Sequence, residues 1–131
     1  MVKITTRQVG GVIVVEYAGR LTFGEGTNAL VDTIETLIYD RPLTREERLG
    51  DAELPQGKAV NILLNLGETS YIDSTGIGYG LVHSFSRVVN ARGHLKLLSL
   101  TERVKNVLQL TNVYTVFDVY DNEPEGVRSF S

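Results

Sequence analysis

The feature that constrains this chain most is an apolar run that leads, through a polar junction, into a long helical pattern. Lys58 to Leu66 is mostly apolar with asparagines at intervals, which is typical of a parallel strand covered by helices. The junction reads YIDSTGIG over residues 71–78, and a helix is predicted from about Ser74 to Ala91. Its apolar positions recur at helical spacing as Ile77, Leu81, Phe85 and Val88, with polar side chains opposite. A buried strand running into an amphipathic helix predicts an α/β fold.

The rest of the sequence extends this alternation in both directions. Two β-rich segments, Val2 to Val9 and Val12 to Ala18, are joined by Gly10-Gly11, a pair suited to a two-residue hairpin. Further elements are predicted as a helix capped by Thr27 and running through Ile38, a strand at His94 to Leu100, a helix starting at Ser99 or Thr101, a strand at Val116 to Tyr120 and a short helix at Glu123 to Phe130. The order β-β-α-β-α-β-α-β-α predicts a mixed, mostly parallel sheet with an N-terminal antiparallel hairpin and about four helices.

Length and composition narrow the class of protein. The chain has 131 residues, of which 42% are hydrophobic and 22% charged, which is typical of one globular domain spanning residues 1–131. The net charge of −3 argues against a nucleic-acid partner. There is no cysteine for a disulfide or a zinc–thiolate site, and no apolar run of signal-peptide or transmembrane length. We therefore expect a cytoplasmic protein that does not insert directly into a membrane.

One segment departs from the compact pattern. Residues 41–57 are polar and carry Pro42 and Pro55, with several arginines and acids between them. Connections of this length without secondary structure are uncommon in compact domains. We expect Arg41 to Gln56 to form an insertion that lies outside the core and acts in the choice of a partner.

The polar junction carries the most specific chemistry. It would lie at the carboxyl end of a parallel strand and the amino end of a helix, where α/β folds place ligands and where free N–H groups favour an anion. Helix capping by Asp73 or Ser74 explains either residue without any further function. It does not explain Gly76 and Gly78, because each glycine in a helix costs about 1 kcal/mol relative to alanine. The glycines indicate either close approach by another molecule or, for Gly76 and Gly80, close packing of the helix on the sheet.

The motifs for catalysis are incomplete in this chain. Ile72 occupies the first glycine position of a hydrolase Gly-x-Ser-x-Gly elbow, and no lysine follows a glycine loop as a P-loop requires. Gly24 to Ala29 matches the G-x-G-x-x-A dinucleotide pattern, but the strand before it belongs to a hairpin. The two histidines, His83 on the predicted solvent face and His94 at a strand start, lack metal-ligand spacing. We expect neither an enzyme nor a cofactor or metal site.

Several segments of the chain together match one known family. They are Asp73-Ser74-Thr75-Gly76-Ile77-Gly78, Leu97 to Val104 and Phe117 to Tyr120, together with Gly19-Arg20-Leu21, which matches a Gly-x-Leu before the first helix of that family. In these segments the chain resembles the STAS domain family, and in particular the bacterial anti-sigma factor antagonists. The resemblance spans almost the whole chain. It implies a STAS-type fold and a regulatory binding protein rather than an enzyme.

The resemblance also implies a phosphorylation switch. In this family an anti-sigma factor with serine kinase activity phosphorylates the serine of the junction, and the unmodified antagonist binds that partner so that a sigma factor is released. Carried onto this chain, Ser74 is the phosphoacceptor, and the residues that shape its site are Asp73, Thr75, Gly76 and Gly78. The expected partner-binding residues are Thr22, Tyr71, Tyr79 and His83. Many antagonists have an acid at the position of Thr22, here followed by Phe23. The segment Arg41 to Gly57 is also longer than the family's usual connection, which suggests a divergent branch with its own partner.

Other functions stay open from the sequence. STAS domains also serve as scaffold subunits of stress-signalling assemblies and as accessory subunits of transporters. A small-ligand sensor that uses the helix end at Ser74 as an anion or nucleotide site is a further alternative. A homodimer is compatible with the sequence.

Overall fold

The structure is a computed structural model that describes residues 1–131 and contains one five-stranded sheet. The strands are β1 (Lys3–Val9), β2 (Val12–Leu21), β3 (Asn61–Ile72), β4 (His94–Leu98) and β5 (Val119–Tyr120). They lie side by side in chain order, with β1 antiparallel to β2 and every other neighbouring pair parallel. This arrangement confirms the predicted α/β class, with a mostly parallel sheet and an N-terminal antiparallel hairpin.

Helices fill the connections between the parallel strands. They are α1 (Glu25–Tyr39), α2 (Arg45–Leu49), α3 (His83–Asn90), α4 (Glu102–Leu110) and α5 (Glu123–Arg128). A π-helical segment, Gly76–Val82, leads directly into α3, and a 3₁₀ turn, Val113–Val116, follows α4. The α-helices exceed the predicted number because α2 lies within the polar insertion. None of the helices has both the length and the apolar character needed to cross a membrane.

The two faces of the sheet are covered unequally. The larger hydrophobic core lies between one face and helices α1, α3 and α4, and it includes Leu64 of the central strand β3. Leu63, the preceding residue, points to the other face and belongs to a smaller cluster against which residues of α5 pack. Burial on both faces explains why β3 reads as a nearly continuous apolar run.

Several strand boundaries differ from those predicted, most of all the end of β3 and the start of β5. Strand β3 continues to Ile72 and accommodates Gly67, whose N–H is accepted by the Asn65 side chain at 2.8 Å. The polar junction is therefore reached directly from the strand, without an intervening loop. Strand β5 is shorter than the predicted Val116 to Tyr120, because the chain turns through the 3₁₀ segment until Val116.

The hairpin was predicted correctly, whereas the helix cap was not. Val9 pairs with Val12, and Gly10 has the positive φ of 61° that a tight two-residue turn requires. Helix α1 begins at Glu25 with Gly24 at its N-cap, not Thr27. Thr27 is instead buried in the first turn, since glycine at the cap lets the chain enter the helix earlier.

The expectation that Arg41 to Gln56 lies outside the core is wrong for Leu43. That side chain is 5% exposed and is part of the larger core. The segment also contains helix α2, which begins with a capping box in which Thr44 and Glu47 each accept the other's backbone N–H. Most of the remaining insertion is exposed, so it is an ordered arm anchored at its first half.

Candidate functional site

The polar junction lies at the carboxyl ends of β2 and β3. In the parallel register Arg20 is paired with Tyr71 and Leu21 with Ile72, and the helix opens at Ser74 two residues later. The first turn of this helix therefore faces the edge of the sheet where α/β proteins place their sites. Ser74 itself is exposed.

Asp73 is the residue that caps this helix. Its Oδ1 accepts the Gly76 N–H at 2.8 Å, and its Oδ2 accepts the Phe23 N–H at 3.0 Å, so one carboxylate joins the helix start to the loop after β2. Partial burial raises the pKa of the Asp73 carboxyl, but the N–H donors of Phe23, Gly76 and Thr75 outweigh this and hold the pKa below its usual value. Because Asp73 caps the helix, the Ser74 hydroxyl is not needed for that role.

The glycines of the junction differ in whether packing requires them. A Cβ at Gly76 would overlap the backbone carbonyl oxygen of Leu21 and lie 2.9 Å from Cγ1 of Ile72. Gly76 is therefore required for close packing of helix on sheet. A Cβ at Gly78 would meet no atom within 4 Å, and one at Gly80 would make only ordinary contact, 3.4 Å from a Leu21 methyl group. Packing does not explain Gly78, which lies exposed in the turn after Ser74.

The π-helical segment that follows was not predicted. The His83 N–H donates to the Gly78 carbonyl, one residue further back than in an α-helix. Glycines at 76, 78 and 80 were the available signal, because they lower the cost of leaving α-helical geometry. Single-turn π-helical bulges are frequent at functional sites. Here the wider turns carry Tyr79 and His83 toward α1 and α2.

The predicted solvent face of this helix is partly covered, which corrects the placement of His83. Both Tyr79 and His83 are half-buried, with ring centroids 4.9 Å apart. Burial and the nearby Arg87 and Arg48 lower the pKa of His83, against a smaller opposing effect of Glu35. Its Nε2 is buried without a hydrogen-bond partner. Both side chains lie near enough to Arg48 and Glu35 for those charges to act on their pKa values, so this face is less open to solvent than predicted.

An ion pair joins the insertion to α1, and the sequence analysis did not predict it. Glu35 of α1 is 1% exposed. Its carboxylate accepts from Arg48 at 2.6 and 3.1 Å and from the Leu43 N–H at 2.9 Å. Arg41 forms a second pair with Glu47, at 2.7 and 2.8 Å. Glu35 is one of three acids in α1, with Glu25 and Asp32, and no local sequence signal marks it as the buried one.

The other two expected partner-binding residues lie near Asp73. The Thr22 carbonyl accepts both the N–H and the hydroxyl of Thr27, at 3.1 and 2.6 Å, which holds the loop after β2 in place. The ring of Tyr71 lies between two exposed guanidinium groups, those of Arg20 at 4.9 Å and Arg103 at 5.7 Å from its centroid. The edge of the sheet therefore presents a cationic pair stacked on an aromatic ring.

The structure contains no group of three His, Cys, Asp or Glu side chains that could hold a metal ion. His94, the second histidine, lies 3.1 Å from the Asn61 side chain at the opposite end of β4 from the junction. The features at this end of the sheet are thus a capped helix start at Ser74, a fixed loop after β2 and two guanidinium groups against Tyr71. Such an arrangement is suited to recognition of another molecule.

Comparisons with known proteins show the family to which the chain belongs. The model of the STAS domain family matches residues 3–126. The anti-sigma-B factor antagonist of Bacillus subtilis is 34% identical over 91 residues, which cover 70% of this chain and 79% of that protein.

Solved structures share the fold. The unphosphorylated form of the anti-sigma factor antagonist SpoIIAA superposes with a TM-score of 0.70 at 18% identity, over 98% of this chain and 96% of that one. The phosphorylated form of SpoIIAA from Bacillus gives a TM-score of 0.62 at 16% identity, over 98% of this chain and all of that one (100%). The chain belongs to the STAS domain family and, within it, to the anti-sigma factor antagonists.

Proposed function

We propose that this protein, when unphosphorylated, binds an anti-sigma factor with serine kinase activity and so releases a sigma factor in the cytoplasm. Phosphorylation of Ser74 by that partner ends the interaction. The relative of known function is an anti-sigma factor antagonist, and a structural neighbour has been solved in phosphorylated form. The observation that carries the proposal is that Ser74 is exposed at a helix start whose capping is performed by Asp73.

The position of Ser74 favours modification without a change of fold. A phosphate there would carry a charge of roughly −1.5 to −2 at neutral pH. The first turn of a helix favours an anion because its N–H groups and dipole are directed toward it. Asp73 already occupies the Gly76 N–H, so the phosphate would extend outward from an exposed position. The domain should therefore tolerate the added charge.

The same charge would oppose docking of the partner. An interface that covers Ser74 must remove the phosphate from water beside the Asp73 carboxylate. Unless the partner supplies matching positive charge, desolvation and repulsion would cost several kcal/mol. Each ~1.4 kcal/mol corresponds to tenfold in affinity, so binding would weaken by a hundredfold or more.

The proposal is tested by incubating the protein with ATP and each purified serine-kinase-type anti-sigma factor of its own organism, followed by intact-mass analysis. One of these kinases should add one phosphate to the wild type and none to Ser74→Ala. Thr75→Ala is the matched control and should be phosphorylated as the wild type is. Equal phosphate uptake by wild type and Ser74→Ala would contradict Ser74 as the acceptor, and no uptake by the wild type would contradict the function.

A further inference from the structure

Phe23 is a large aromatic side chain that the fold leaves in water. It is 80% exposed, in the loop between β2 and α1. Exposure alone does not mark a site, because Leu110 at the end of α4 is 85% exposed. What distinguishes Phe23 is how firmly its backbone is held and what lies beside it.

The loop that carries Phe23 is fixed from both sides. Its own N–H is bound by the Asp73 carboxylate at 3.0 Å. The preceding carbonyl, that of Thr22, accepts two hydrogen bonds from Thr27, and the following Gly24 has a φ of 98°, which favours glycine. Because the loop backbone is already ordered, binding through Phe23 does not add the entropy cost of ordering the loop.

Phe23 also belongs to the same surface as Ser74. The Asp73 carboxylate that holds the Phe23 N–H directly precedes Ser74 and caps its helix. A molecule that covers the Ser74 hydroxyl would therefore contact the loop that carries Phe23. Aromatic side chains are enriched among the few residues that supply most of the free energy of protein–protein binding.

The charge around Tyr71, at the same end of the sheet as Phe23, restricts the kind of partner. Arg20 lies three positions before Phe23, and together with Arg103 it flanks the Tyr71 ring. Both arginines are exposed and form none of the ion pairs within the chain. The two exposed guanidinium groups beside Tyr71 are complementary to acidic side chains around an apolar pocket of a partner.

We propose that Phe23 is the residue by which this protein selects its anti-sigma partner, inserting its ring into an apolar pocket bordered by acidic side chains. The inference rests on the proposed function, because the partner is the protein that phosphorylates Ser74. Thr22 then contributes through its backbone, which holds the loop in place. Arg20 and Arg103 set orientation at the edge of the interface.

The first test measures affinity with the anti-sigma factor that phosphorylates Ser74 in the mass assay. Truncation of a buried aromatic anchor typically weakens binding by about 30-fold or more, and Phe23→Ala should do so. Leu110→Ala, which removes a similarly exposed apolar side chain at the end of α4, should bind as the wild type does. Both variants should melt close to the wild type, since neither side chain is part of the core.

The second test uses the absence of tryptophan from the chain. Phe23→Trp gives a single indole at the proposed anchor, and Leu110→Trp gives one at the control position. Addition of the anti-sigma factor should shift the Phe23→Trp emission to shorter wavelength and leave that of Leu110→Trp unchanged, after the emission of the partner alone is subtracted.

The outcomes separate the inference from the function on which it rests. If the wild type binds and Phe23→Ala binds as tightly, or the Phe23→Trp emission does not move, the inference is wrong and the proposed function stands. If the wild type binds none of the anti-sigma factors, both are wrong. A 30-fold loss confined to Phe23→Ala together with the emission shift would support the anchor.

Discussion

The Arg48 guanidinium reaches across from the insertion and donates two hydrogen bonds, at 2.6 and 3.1 Å, to the buried Glu35 carboxylate in α1. The side chain of Glu35 is almost inaccessible to water, whereas Arg48 keeps about a quarter of its own surface exposed. The ion pair therefore joins a surface arm to the interior. It fixes the position of the insertion relative to α1.

Removing the guanidinium should destabilise the protein, because Glu35 would be left as a buried charge with only the Leu43 N–H as a donor. Breaking a buried ion pair from one side typically costs about 3–5 kcal/mol, so we expect Arg48→Ala to lower the free energy of unfolding by roughly 3 kcal/mol. Arg45→Ala, in the same helix but exposed, should change it by less than about 0.5 kcal/mol. Urea denaturation of both variants checks this, and equal stability would show that the pair is unimportant.

The glycines at 76 and 78 should respond oppositely to alanine. At Gly76 the new Cβ would overlap the Leu21 carbonyl, and because backbone cannot easily move we expect a loss of roughly 3 kcal/mol or more. At Gly78 there is open space, so alanine should be neutral or stabilise by up to about 1 kcal/mol. Thermal melting of the two variants measures the difference. A tolerated Gly76→Ala would contradict the close packing of helix on sheet.

Lowering the pH should destabilise the insertion, because the Glu47 carboxylate becomes protonated. Hydrogen bonds from Arg41 and from the Thr44 N–H lower the pKa of this carboxyl to about 2. A carboxyl whose folded pKa lies below its unfolded value of about 4.3 contributes stability that is fully present above that value. This contribution is lost as the pH falls from there through about 2.

Hydrogen exchange of the α2 amides at pH 6 and pH 3 would test the role of Glu47. The amides of the wild type should lose protection at pH 3 relative to those in α1. In Glu47→Gln the α2 amides should be weakly protected at both values, whereas Glu46→Gln, altered at an exposed position, should behave as the wild type. Unchanged protection of α2 in Glu47→Gln would contradict the assignment.

The alternation of strands and helices could be predicted because each element carries its own periodicity. Leu63 and Leu64 are buried on opposite faces of β3, and the hairpin follows from Gly10-Gly11. The fold then follows from the rules for connecting parallel strands. The position of Ser74 at the sheet edge could likewise be predicted, because a strand and a helix meet there.

What the sequence did not reveal depends on contacts between distant segments. Asp73 was one of two candidates for the cap, and its second hydrogen bond, from the Phe23 N–H, comes from another loop. The anchor of the insertion, Glu35, looks like any other helical acid in the sequence. The close approach of Gly76 to the Leu21 carbonyl likewise joins two distant segments. Local sequence patterns carry no information about contacts between segments that are far apart in the chain.

The central claim is tested most directly by titrating the unphosphorylated and the Ser74-phosphorylated protein against the anti-sigma factor that phosphorylates it, with circular dichroism and melting curves recorded for both forms. Phosphorylation should weaken binding by about a hundredfold or more while the spectrum and the melting temperature barely change. Equal affinity of the two forms, or a large loss of structure in the phosphorylated one, would contradict it.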